Sequence, residues 1–222
     1  VVPEEIVVSD KWSERMIAHA LARQVFQGKN LVIVPNCTWT GDELDLLVVT
    51  ANLRIIDVEV KISRPDLKAD AKKDKWYHSI PYDQYQYRSQ CRQLGIPVPP
   101  RKRREWPRRV WKHYYAIPKE LWRTDIADHL KACAPRSGVI LMSATDTGKV
   151  FAHVERRSQP NTQAEKISAE DAVCLARLAS LRMWDAYAEI DSLREEVKNG
   201  VLSDITGVTE AVRSMDDARL GG

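Results

Sequence analysis

Three charged residues enter otherwise apolar runs near the middle of the chain: Asp45 in GDELDLLVV, and Glu59 and Lys61 in RIIDVEVK. Side chains alternate along a strand, so Asp57, Glu59 and Lys61 share one face and Val58, Val60 and Ile62 the other. The two runs, Leu44 to Thr50 and Arg54 to Ile62, are joined by Ala51, Asn52 and Leu53, which predicts a hairpin. With that three-residue connection Thr50 faces Arg54, and Asp45 lies opposite Glu59 with side chains about 5 Å apart. Two carboxylates so close repel unless a cation lies between them. A two-residue turn would slip the register and separate them, unless a bulge restored the match. Hard oxygen donors without His or Cys suit Mg2+ or Mn2+. A lysine on the same face suits developing negative charge. The chemistry that most needs this set is hydrolysis of a phosphodiester.

Glu14 strengthens the pattern. It falls about 20° from Leu21 on a helical wheel, on the stripe of Ile17, Leu21 and Val25, and is expected to face the sheet. The alternative is a first-turn glutamate answering the helix dipole or pairing with Arg15 or Arg64.

The elements that must hold these residues follow from periodicity and punctuation. Trp12 to Gln27 reads as a helix, capped by Ser9 or Asp10 and ended by Gly28. Leu31 to Pro35 is a short strand. Pro65 fits the first turn of a helix running to about Trp76. A helix near Asp83 to Leu94 falls within the segment 77–110, followed by a strand at Val110 to Ile117 and a helix at Asp125 to Cys133. Strands at Val139 to Ser143 and Val150 to Val154 flank the turn TDTG. Ser168 with Asp171 forms a capping box for a long helix to Lys198, closed by Gly200. Its Met183, Ala186, Ile190, Leu193 and Val197 alternate by three and four, which serves either packing on the body or a homodimer seam. Domain boundaries are expected at 1–160 for the main domain, with 77–110 inserted, 161–200 for the C-terminal helix, and 201–222 for a loose polar tail.

Composition narrows the classes. Of 222 residues, 44% are hydrophobic and 29% charged, enough for a core and too apolar for a disordered chain. No apolar run approaches the ~18 residues of a membrane span, and no secretory start is visible, so a cytoplasmic location with no membrane partner is expected. Cys37, Cys91, Cys133 and Cys174 are far apart with no CxxC pair, which argues for reduced thiols rather than disulfides or structural zinc. The net charge is +3, but Arg88 to Lys112 carries nine bases and one acid, leaving the remainder at −5. A concentrated basic segment on an acidic body suits a polyanion.

Asp45 followed by Glu59–Val60–Lys61, after a helix bearing Glu14, resembles the PD-(D/E)xK nuclease superfamily. Within it, EVKISRPDLKADAKKDKW (Glu59 to Trp76), YYAIP (Tyr114 to Pro118) and GVILMS (Gly138 to Ser143) resemble the MmcB family of bacterial DNA-repair proteins. The resemblance implies an α/β fold with a restriction-endonuclease-like αβββαβ core. It also implies Asp45, Glu59 and the Val60 carbonyl as metal ligands, Lys61 at the attacking water and Glu14 as a supporting acid. Gly41 and Asp42 stand where a proline-led motif would be, and 77–110 is longer than the usual link to the next strand.

Arg101, Lys102, Arg103, Arg104, Arg108 and Arg109 are expected to neutralise phosphates, with Tyr85 and Tyr87 stacking on unpaired bases. The other reading of this segment is a solvated loop with its aromatics tucked inward. Thr147–Gly148–Lys149 is no P-loop, and the five histidines show no metal-ligand spacing. Asp57, Asp66 and Asp70 are explained by strand surface and helix capping. The expectation is a Mg2+- or Mn2+-dependent DNA endonuclease or nickase (a hydrolase of DNA repair, recombination or phage DNA metabolism) with DNA as partner. A non-catalytic DNA-binding adaptor on the same fold is the alternative, and an RNase is a third.

Overall fold

The computed structural model describes residues 12–28, 30–79 and 82–220, of which 82–83 and 200–220 as backbone only. Helix α1 (Glu14–Gln24) starts on Ser13, whose hydroxyl accepts the Met16 N–H at 3.2 Å. The expected caps, Ser9 and Asp10, lie outside the described residues. A meander follows: β1 (Asn30–Cys37), β2 (Leu44–Thr50) and β3 (Ile55–Val60). Helix α2 (Arg64–Asp70) begins on Ser63 with Pro65 in its first turn. It stops at Asp70, short of Trp76, because Lys72 and Lys73 N–H groups turn back tightly to Ala69 and Asp70 carbonyls, and a separate 3-10 turn forms at Asp74–Trp76. Then come α3 (Tyr82–Gln93), β4 (Lys112–Pro118), α4 (Thr124–Cys133), β5 (Gly138–Ala144), β6 (Val150–Arg156) and α5 (Ala169–Leu220).

The six strands form one mixed sheet in sequence order. β1, β2 and β3 are antiparallel, β4 and β5 run parallel to β3, and β6 returns antiparallel to β5. The protein is therefore of mixed α/β class. The turn between β2 and β3 is the three-residue one: Thr50 pairs with Arg54, and Leu53 takes the left-handed conformation at φ 61°. Leu46 then faces Val58 and Val49 faces Ile55, which is the register that sets Asp45 opposite Glu59.

β3 is buried on both faces. Its even positions, Ile56, Val58 and Val60, join Leu46, Val48, Ala116, Ile140 and Met142 in a core under Ile17 and Leu21 of α1. On the opposite face Tyr115, Ile117, Val139 and Leu141 pack against Leu67 of α2 and Ile126 and Leu130 of α4, with Trp76 between. Asp57 and Glu59 point into this second layer. Along the outer strand, the Gln24 amide donates to the Val150 carbonyl and accepts the Ala152 N–H, tying the end of α1 to β6. The four cysteines are free thiols.

Ser168 caps the helix as expected, its hydroxyl accepting the Asp171 N–H at 3.0 Å, but the Asp171 carboxylate accepts that hydroxyl at 3.0 Å instead of closing a full capping box on the Ser168 backbone. The helix it opens continues past Gly200 to Leu220, so the expected stop at Gly200 and the loose tail from 201 give way to 52 helical residues. A lone glycine costs a helix only about 1 kcal/mol, and no proline follows to end it. The chain divides into two compact units between Ala176 and Arg177 rather than at residue 160.

Candidate active site

The ladder between β2 and β3 ends with an exchange: beyond the Leu46–Val58 pair, the Val60 N–H donates at 2.7 Å to the Asp45 carboxylate rather than to a backbone carbonyl. That bond fixes Asp45 at the end of β3. Lys61 follows on the face of Glu59, and its Nζ lies 2.9 Å from Glu59 Oε2, 3.4 Å from Asp45 Oδ2 and 3.1 Å from the Val60 carbonyl oxygen. Asp66 Oδ2, from the first turn of α2, is 3.7 Å away. Asp45, Glu59, Val60 and Lys61 are thus brought to one point. Asp45 keeps a fifth of its side chain exposed, whereas Glu59 and Lys61 are buried.

Glu14 departs from the wheel. It is exposed in the first turn of α1, not sealed under the stripe, because the helix begins only at Glu14 itself. Its charge still faces this cluster: partial desolvation and Asp45 raise its pKa, with Asp66 and Glu59 adding to the effect.

Behind the three expected groups lies a second layer whose roles the sequence did not disclose. Lys75, from the 3-10 turn after α2, is buried, with Nζ 2.6 Å from Glu59 Oε1 and 3.4 Å from Asp70 Oδ1. Lys73 reaches the same two acids at 3.6 and 3.3 Å from a half-exposed position. Asp70 accepts from the Tyr115 hydroxyl at 2.6 Å and the Trp76 indole at 3.1 Å. It is a buried anion rather than a helix-capping residue. Asp57 is buried too: neither of its oxygens has a hydrogen-bond partner among the described residues, and His113 Nε2 stands 3.6 Å off. His113 Nδ1 in turn meets Ser137 Oγ at 2.8 Å. This Ser–His–Asp row is sealed from solvent, so Ser137 has no path to a substrate. The signal available in sequence was the ADAKKDKW segment, where Lys75 beside a core Trp76 implies a buried cation with an acid to meet it.

Protonation follows from these neighbours. Burial pushes the Glu59 carboxyl up, but Lys75 and Lys61 outweigh it and hold Glu59 below its ordinary value. Asp70 likewise resists burial through Lys75 and Tyr115 and stays ionised. Asp45 is raised, by desolvation and then by Glu59. Asp57 is raised well above its usual range, chiefly by burial. His113 is pushed down to about 3 by burial and Lys75, hence neutral. Burial acts to lower Lys61, yet Glu59 and Asp45 dominate and keep it an ammonium.

The oxygens of Asp45, Glu59 and Val60 all face the Lys61 ammonium, which therefore stands in for a cation among them. In kind and number these hard donors fit a divalent ion. Among the described residues no three His, Cys, Asp or Glu side chains converge as a ready-made metal cluster, and the third donor is the main-chain carbonyl.

The basic segment is partly consumed by the fold. Arg103 donates to the carbonyls of Cys133 and Ala71 and stacks over Trp76 and Tyr77. Arg104 donates to the Tyr77 carbonyl, and Arg101 pairs with Asp74 over the Tyr77 ring. A short bridge between Tyr77 and Arg103 fastens this stretch to the body. Lys102, Arg108 and Arg109 remain exposed, as do Tyr85 and Tyr87 on α3; Arg108 lies 3.8 Å from Asp42, and Arg109 lies over the Trp39 ring.

No helix among the described residues is long and apolar enough to cross a membrane. No family model matches the chain, and no curated protein matches it. Among solved structures, the chain is similar to the SPO1766 protein of unknown function from Silicibacter pomeroyi, at 18% identity over 82% of this chain and 92% of that one, with a TM-score of 0.45.

Proposed function

We propose that the chain is a metal-dependent deoxyribonuclease that hydrolyses phosphodiesters. The observation that carries the proposal is the convergence of the Asp45, Glu59 and Val60 oxygens on one cation, the Lys61 ammonium, which a metal ion held by those oxygens would displace to their side. The order α1-β1-β2-β3-α2-α3-β4, with β4 parallel to β3, supports the same reading: with α3 set aside as an insertion it is the order αβββαβ that the nuclease resemblance implies.

Asp45, Glu59 and the Val60 carbonyl would hold Mg2+ or Mn2+, which when bound acidifies a water and neutralises charge on the phosphate. Lys75 holds one Glu59 oxygen from behind at 2.6 Å, while the other meets Lys61 at 2.9 Å. The Val60 N–H likewise holds Asp45. Lys61 remains protonated, so it cannot accept a proton; its role is to donate hydrogen bonds to the negative oxygens of the phosphate under attack. Glu14, exposed at the rim with a raised pKa, is the acid available to exchange protons there.

A second reading has one observation in its favour. Glu59 already meets three lysines, Lys61, Lys73 and Lys75, which suits a DNA-binding protein that no longer needs a metal. Incubation of purified protein with Mg2+ or Mn2+ on linear, branched and single-stranded DNA, with RNA alongside, separates the two. Cleavage of DNA, reduced about 100-fold or more in Asp45→Ala, Glu59→Ala and Lys61→Ala, supports the nuclease. DNA left intact but bound supports the adaptor.

A further inference from the structure

From Arg177 onward α5 belongs to a unit of its own, and none of its described side chains is buried. The first turns differ: Ala172 and Leu175 are covered. Beyond them, Leu181, Met183, Trp184, Tyr187, Ile190, Leu193 and Val197 are all exposed, seven large apolar side chains in seventeen residues. A solvated face of this kind marks an interaction surface, and a lone helix gains most of its stability from burying such a stripe.

The spacing says what covers it. With Met183, Ile190 and Val197 at the a positions of a heptad, Ala186 and Leu193 fall at d. Ile190 and Val197 at a with Leu193 at d follow the β-branched-at-a, leucine-at-d pattern that favours two parallel strands, while Met183 and Ala186 are neutral to it. In that arrangement each g position meets the following e position of the other strand. Here Glu189 is g and Arg194 is e, so opposite charges meet twice across a symmetric pair, with Asp191, which pairs with Arg194 at 3.3 Å on its own helix, sharing the arginine. After a break in phase at Gly200 the three-and-four spacing resumes through Ile205, Val208, Val212 and Met215, and the backbone stays helical throughout. We infer that this helix pairs with a second copy of the chain as a parallel two-stranded coiled coil whose seam runs through Ile190 and Leu193. The inference stands apart from the nuclease reading, because it uses no residue of the candidate active site.

Sedimentation equilibrium or light scattering on the full chain tests it. Wild type is expected at twice 25.4 kDa, Ile190→Asp and Leu193→Asp at the monomer mass, and Trp184→Ala, at a b position off the seam, still at the dimer mass. A wild-type monomer at 100 µM protein, about a hundred times a micromolar dimer constant, overturns the inference. So does a dimer that survives both seam substitutions, which would assign pairing to another surface. Glu189→Lys, which leaves the apolar stripe intact, should weaken dimerisation about tenfold, and adding Arg194→Glu should restore it. Under oxidation Leu193→Cys should cross-link in excess of wild type, since d faces d only in the parallel register; a dimer without that cross-link overturns the parallel arrangement.

Discussion

Asp57 and Asp70 are both buried carboxyls within one charged cluster, yet their surroundings divide them. Asp70 has a tyrosine hydroxyl, an indole and two lysines; Asp57 has no hydrogen-bond partner among the described residues, a neutral histidine 3.6 Å away and the Lys75 charge acting through space. Asp70 has its folded pKa depressed, so its stabilisation is present above the unfolded value near 4 and lost as pH falls through the folded one. Asp57 has its folded pKa raised, so its contribution is complete below about 4 and is lost as pH rises through the folded value. Asp70→Asn should therefore destabilise at pH 7 by about 3 kcal/mol, with the difference shrinking in acid. Asp57→Asn should gain on wild type above pH 4, by up to about 1.4 kcal/mol per pH unit until the acid ionises. Urea unfolding across pH 4 to 8 measures both, and a flat Asp57→Asn difference would mean that the acid is already ionised in the fold. Asp45, Glu59 and Lys61 were legible because three charges in apolar strands are conspicuous. Asp57, Asp70 and Lys75 were not, because burial depends on which elements cover a residue.

Elements meet most tightly where β5 begins. Gly138 pairs with Tyr114 across β4 and β5, and a β-carbon placed there would lie 2.3 Å from the Tyr114 ring and 2.7 Å from the Ser158 backbone nitrogen. A rotation of the ring would relieve the first contact in an open site, but the backbone contact leaves no equivalent escape. Gly138→Ala should cost about 2–3 kcal/mol of stability, read from the denaturation midpoint; an unchanged midpoint would mean that the 158–161 segment yields freely. The neighbouring Ser137 holds His113, so strain here is transmitted to the layer behind Glu59. Strand positions were readable from their apolar runs and turn residues. The early end of α2 was not, since the turns that stop it are held by Asp70 and Trp76 side chains meeting in the core.

Across the whole molecule, the basic run separates into a structural and a solvent-facing part. Arg103 is held by three carbonyl contacts and two aromatic rings, while Lys102, Arg108 and Arg109 face outward. Arg103→Ala should lower stability. Lys102→Ala, Arg108→Ala and Arg109→Ala should leave the fold intact and, on the proposed DNA-binding reading, each reduce the salt slope of affinity by about one. Fluorescence anisotropy on labelled DNA over a salt series checks this, and slopes equal to wild type would remove these residues from the DNA surface.

The sequence by itself determined the strands and the hairpin between them, because these rest on local chain geometry and a two-residue period; the register that sets Asp45 against Glu59 depended on the turn type, which the structure supplied as the three-residue one. It also determined the C-terminal stripe, which is a matter of spacing along one helix. Only the tertiary structure decided which lysines close on Glu59, which arginines the fold uses for itself, and that Glu14 stays at the surface. Those outcomes depend on the desolvation and charge pairing created when distant elements meet, and neither quantity exists until the layers pack.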